Sequence, residues 1–95
     1  MKKTLYIGFY DYSYGYGAYE LKDKEFKNID LTFKEFDSLN YLECKFEDNK
    51  ERRIKILSTI ESILNSYDEI IICDDGVFDY YDTTELSYEL HTLRK

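Results

Sequence analysis

The chain has 95 residues, 20 acidic against 13 basic for a formal charge of −7, with 11 tyrosines, 6 phenylalanines and neither tryptophan nor proline. A chain this short makes a single domain, 1–95, that buries only about 60–65% of its unfolded surface, which excludes a large enclosed active site. Its acidity argues against a sequence-independent grip on nucleic acid or on anionic lipid, since both depend on clustered Lys and Arg.

An apolar share of 43% is too high for disorder. Met1-Lys2-Lys3 followed by the apolar run Leu5 to Tyr10 has the outline of a signal peptide, but Asp11 ends the run and no small-residue cleavage site follows. No segment reaches the ~20 apolar residues that span a bilayer. Cys44 and Cys73 each sit in an apolar stretch, as buried free thiols do in a reducing compartment. The expected location is the cytoplasm, with no membrane and no cofactor.

Thr4 to Tyr12 alternates Leu5, Ile7 and Phe9 against Tyr6, Gly8, Tyr10 and Tyr12, the pattern of a central strand apolar on both faces. Gly15 and Gly17 signal a turn, and Tyr19 to Leu21 returns as a hairpin arm. Residues 22–28 are polar and read as a loop or hairpin end. Between Asn28 and Phe36 two periods compete. Ile29, Leu31 and Phe33 alternate as a strand does, whereas Phe26, Ile29, Phe33 and Phe36 keep helical spacing behind a capping box of Thr32 and Glu35. The β-branched and aromatic alternation favours the strand.

Tyr41 to Glu47 reads as a half-buried strand, Leu42, Cys44 and Phe46 inward and Glu43, Lys45 and Glu47 outward. Asp48 or Asn49 then caps a long helix, about 50–66, whose Ile56, Leu57, Ile60, Ile63, Leu64 and Tyr67 form one apolar band. Lys50, Arg52 and Arg53 at its start are expected on its solvated face. Glu69 to Cys73 reads as a buried inner strand ended by Asp74-Asp75-Gly76. A short C-terminal helix, about 83–94, is capped by Asp82 with Glu85 and carries Leu86, Leu90 and Leu93. The order predicts an α+β fold: a mixed four- to five-stranded sheet with helices packed on one face, and a parallel strand-helix-strand crossover between 41 and 73.

Two constellations carry chemistry. Acids at strand ends, Asp11 on one side and Asp74 and Asp75 on the other, would form a Mg²⁺ site for a small hydrolase or nuclease if those strands were neighbours. Asp at a strand end is also ordinary turn chemistry, and there is no phosphate loop, paired histidine or nucleophile motif beside it. His91, the single histidine, has no dyad partner in sequence. The reading is therefore no catalytic residue and no resident metal.

The second constellation is a charge asymmetry. Residues 1–67 hold 12 acids and 11 bases, whereas residues 68–95 hold 8 acids and 2 bases. Most of the charge thus lies in the last 28 residues. There, Asp74, Asp75, Asp79, Tyr80, Tyr81, Asp82 and Glu85 read as an exposed acidic and aromatic loop between a strand and a helix. Aspartates two apart on an extended chain stand ~6.6–6.8 Å apart, close to phosphate spacing. Such an array attracts a basic partner, and tyrosines supply stiff contact area. Tyr12, Tyr14, Tyr16 and Tyr19 form a second candidate contact patch, one that could also join two copies as a homodimer or adaptor. Without a basic groove they do not suggest direct binding of single-stranded nucleic acid.

In size, acidity and this interleaving of acids with tyrosines, the chain resembles small anti-defence proteins of phages and mobile elements, the anti-CRISPR and anti-restriction nucleic-acid mimics. Tyr80-Tyr81 between Asp79 and Asp82 is also similar to the contact element of immunity proteins that plug nuclease toxins. The resemblance implies a non-enzymatic inhibitor that occludes the basic nucleic-acid groove of a CRISPR effector, restriction enzyme or nuclease in the host cytoplasm.

Overall fold

The structure is a computed structural model that describes residues 2–8, 17–44, 48–74 and 76–95. Five strands, β1 (Thr4–Ile7), β2 (Ala18–Lys22), β3 (Glu25–Asn28), β4 (Glu69–Asp74) and β5 (Val77–Asp82), form one sheet in the order β3-β2-β1-β4-β5. The pair β1 and β4 is parallel and every other pair antiparallel. Four helices, α1 (Phe33–Asn40), α2 (Lys50–Thr59), α3 (Glu61–Ser66) and α4 (Thr83–Leu93), complete the α+β fold.

Side-chain alternation gives the two sheet faces different fates. Leu5, Ile7, Ala18 and Ile70 point to one side and form a single core with Leu39, Leu57, Ile60, Ile63, Leu64, Leu86 and Leu90 of the four helices and with Leu42 of the α1–α2 connection. All four helices therefore lie on one face. Register places Tyr6, Tyr19, Phe26, Ile71, Cys73, Phe78 and Tyr80 on the other. There Phe26 meets Tyr6 edge-to-face at 5.1 Å and Tyr19 at 6.5 Å.

Local chemistry explains where the elements stop. Asp23 and Lys24 both take positive φ (53° and 67°) and close β2 onto β3 in two residues, so the polar stretch 22–28 contains a strand rather than only a loop. The competition between Asn28 and Phe36 is won by the helix. Thr32 and Glu35 make the reciprocal capping box, Thr32 Oγ1 accepting from Glu35 N at 3.1 Å and Glu35 Oε1 from Thr32 N at 3.1 Å. These bonds satisfy backbone donors that a strand here would have to pair with a neighbour it lacks.

Residues 41–43 form a turn and not the start of a strand, while 45–47 lie outside the described residues. The parallel crossover consequently runs from β1, not from residue 41. The helical region 50–66 is divided at Ile60, the C-cap of α2 and N-cap of α3, and Asn49 supplies the first cap by accepting from Arg52 N at 3.1 Å. Arg53 is buried between α2 and α4 rather than solvated, because its guanidinium finds acceptors there.

Candidate functional site

The acidic and aromatic stretch is a β-hairpin and not a loop. β5 pairs with β4 along its whole length, from Glu69 opposite Asp82 to Asp74 opposite Val77, and Gly76 just before β5 takes φ +82°. Glycine reaches that conformation without a Cβ penalty. β5 is also an outer strand of the sheet.

A strand sends alternate residues to opposite faces, so the expected site is divided. Tyr80 and Asp82 fall on the helix-free face with Phe78 and with Glu69 of β4. Phe78 and Tyr80 are 61% and 54% exposed, large ring areas left to solvent beside carboxylates. The Tyr80 phenol hydrogen-bonds to the Glu69 carboxylate, raising the Tyr80 pKa. Glu69 is held below the usual carboxylate range, first by the Thr4 hydroxyl, which donates to Oε1 at 2.5 Å, and then by Tyr80. Lys2 Nζ stands 4.0 Å from Glu69 Oε2, a mostly exposed cation that neutralises little of this patch.

Asp74, Asp79 and Tyr81 take the opposite side, where with Asn40, Glu43 and Ile72 they line a shallow cleft of about 190 Å³. Burial raises the Tyr81 pKa, with the charges of Asp79 and Glu43 adding to the shift and Arg53 opposing it. Asp82 has a second task. Its carboxylate caps α4, Oδ1 accepting from Thr84 N at 2.8 Å and Glu85 N at 3.2 Å, and Glu85 lies exposed in that first turn.

Tyr19 is packed into the sheet at 4% exposure and presents no free ring. Tyr12, Tyr14, Tyr16, Asp11 and Asp75 lie outside the described residues. Among the described residues no group of three metal-ligating side chains is placed to hold an ion. Nor, among those residues, is any helix long and apolar enough to cross a membrane.

Glu69 and Glu43 are the site residues that sequence reasoning missed; Phe78 belongs to the acidic and aromatic stretch, and the period-2 order Val-Phe-Asp-Tyr-Tyr-Asp two residues after a strand assigns it to the face of Tyr80. Chemically, the helix-free face of the hairpin offers two exposed rings beside the carboxylates of Glu69, which Thr4 and Tyr80 engage, and of Asp82, which caps α4. That suits contact with a surface rich in Lys and Arg, which pairs with carboxylates and stacks on aromatic faces. Searches of family models, curated proteins and solved structures find no match for the chain.

Proposed function

We propose that the chain is a non-enzymatic inhibitor that binds a basic, nucleic-acid-handling protein, such as a CRISPR effector, restriction enzyme or nuclease, through its β4–β5 hairpin. The observation that carries this reading is the exposure of Phe78 and Tyr80 beside Glu69 and Asp82 on the helix-free face, within a 28-residue segment that holds 8 acids and 2 bases. Exposed rings supply contact energy, and the surrounding acids speed encounter with a positive groove and exclude acidic competitors. Asp74, Asp79 and Glu85 extend the same negative field around the hairpin edge. The mechanism is occlusion: the hairpin occupies the groove and nucleic acid is shut out. Cys44 and Cys73 are both free, which fits action in a reducing cytoplasm.

The test is capture of the partner on the immobilised chain from its native host, followed by measurement on the purified pair. Phe78→Ala with Tyr80→Ala should weaken binding by at least about 30-fold, the scale of one hot-spot residue. Charge reversal at the exposed positions, Asp74→Lys with Glu85→Lys, should slow association and flatten its salt dependence. Full affinity in both variants, or a partner with no nucleic-acid groove, sinks the proposal.

A further inference from the structure

On the helix layer, the packing of α1 against α2 leaves a groove of about 400 Å³, within the ~300–1,000 Å³ range of small-molecule sites. One wall is Lys34, Asp37, Ser38 and Tyr41, successive positions of a single helical stripe running into the C-cap of α1. The other is Arg52, Lys55, Ile56 and Thr59, the same i, i+3, i+4, i+7 stripe on α2. The two stripes line the same groove.

Their chemistry is unlike the rest of the molecule. Three cations and one carboxylate line this groove in a chain of net charge −7. Lys34 lies on one wall and Lys55 on the other, so an anion in the groove would be held between them rather than on one side. Tyr41, 45% exposed, offers a ring at one end, Ile56 an apolar patch, and Asp37 and Ser38 polar groups of the kind that read hydroxyls and amines.

We infer that the groove between α1 and α2 binds a free nucleoside phosphate, its phosphates held by Lys34 and Lys55 and its base laid against Tyr41. A small ligand fits better than a nucleic-acid strand, because a polyanion running past the groove would meet the overall negative field of the protein, whereas a di- or triphosphate engages only the local cations. The ring at the end of the groove favours a nucleotide over a plain phosphate or a sugar phosphate. The groove shares no lining residue with the hairpin cleft, and the inference stands or falls independently of the proposed inhibition.

Calorimetric titration of the full chain with ADP, GDP, pyrophosphate and a short single-stranded RNA tests it. We expect saturable one-to-one binding of a nucleoside diphosphate. The double variant Lys34→Glu with Lys55→Glu should weaken it at least about tenfold, the loss expected for a charged hydrogen-bonding partner. Tyr41→Ala should weaken the nucleoside diphosphate but leave pyrophosphate unchanged, while Lys22→Glu with Lys27→Glu, on the β2–β3 hairpin, should leave all binding unchanged. All of the substituted side chains are exposed, and unfolding curves of the variants separate lost binding from lost fold. The inference is overturned by an absence of saturable binding, by binding that survives the Lys34 and Lys55 reversals, or by tighter binding of the RNA than of the diphosphates. Equal binding of pyrophosphate and ADP with a silent Tyr41→Ala overturns it too.

Discussion

Arg53 of α2 and Glu89 of α4 form a bidentate ion pair, Nε to Oε2 at 2.5 Å and Nη2 to Oε1 at 2.9 Å, while Nη1 of the same guanidinium donates to the carbonyls of Leu42 at 2.8 Å and Cys44 at 3.3 Å. One side chain thus fastens two helices and the turn after α1. The hydrogen bonds to Glu89 raise the Arg53 pKa against the opposing effect of burial. Arg53→Ala leaves two carbonyls and a carboxylate without this donor, and we expect a loss of about 3 kcal/mol in denaturant unfolding. Glu89→Gln should cost only about 1 kcal/mol, because the Glu89 side chain is 37% exposed and water replaces part of the interaction. Arg53→Lys should behave more like Ala than like the parent, since an ammonium cannot span both partners in the plane of a fork.

Capping at Asp82 sets a limit on how the hairpin can be altered. Asp82→Ala removes the acceptor for two backbone N–H groups of α4 and should lower stability by about 1 kcal/mol. Asp82→Asn, which keeps a side-chain oxygen, should retain most of it. Thermal unfolding of the two variants separates the cap from the charge, and a partner-binding defect shared by both belongs to the charge.

Gly76→Ala tests the turn. A Cβ at this position meets nothing within 4 Å, so the cost is conformational: φ of +82° disfavours any residue with a side chain. We expect a destabilisation of about 1 kcal/mol, read by chemical denaturation, with the hairpin surface otherwise intact.

Tyr67 predicts a pH dependence at the alkaline end. Its phenol donates to Glu20 Oε2 at 3.1 Å, and Lys3 Nζ lies 4.9 Å from the centre of its ring. Burial first, and then the bond to Glu20 and its charge, push the Tyr67 pKa up to about 12 from 10. The folded state therefore holds this proton more tightly than the unfolded state. The stabilisation is complete below pH 10 and is lost as the pH rises toward 12. Urea midpoints measured across that window should fall more steeply for the parent than for Tyr67→Phe, which has no phenol to ionise.

Legibility in the sequence followed the range of the interactions concerned. The α+β class, the central first strand, the inner strand at 69–73 and the C-terminal helix with its Asp82 cap could all be read, because each rests on periodicity and capping within a dozen residues. The helix α1 was misread as a strand although its capping box was visible. Alternation of Ile29, Leu31 and Phe33 is as strong locally as the cap, and only the neighbours available to the backbone decide between them. Strand β3 escaped because its turn is built from Asp23 and Lys24 rather than a glycine pair. The burial of Arg53 depends on Glu89, 36 residues away, and no local pattern announces it. For the candidate interface, composition pointed to the hairpin segment but could not divide its residues between faces. The α1–α2 groove needed the two stripes to be placed opposite each other before its charge could be noticed.

The parallel pairing of β1 with β4 joins Thr4 to Glu69, 65 residues later. During synthesis, β1, β2 and β3 can form early as neighbouring hairpins, but Leu5 and Ile7 have no second strand beside them until β4 emerges, and long-range closure of this kind slows folding. Completion of the sheet and delivery of the negative charge are then one event, carried by the same last 28 residues. Truncation cannot strip the acidic surface from an otherwise folded scaffold. It has to be neutralised side chain by side chain, with β4, β5 and α4 left in place.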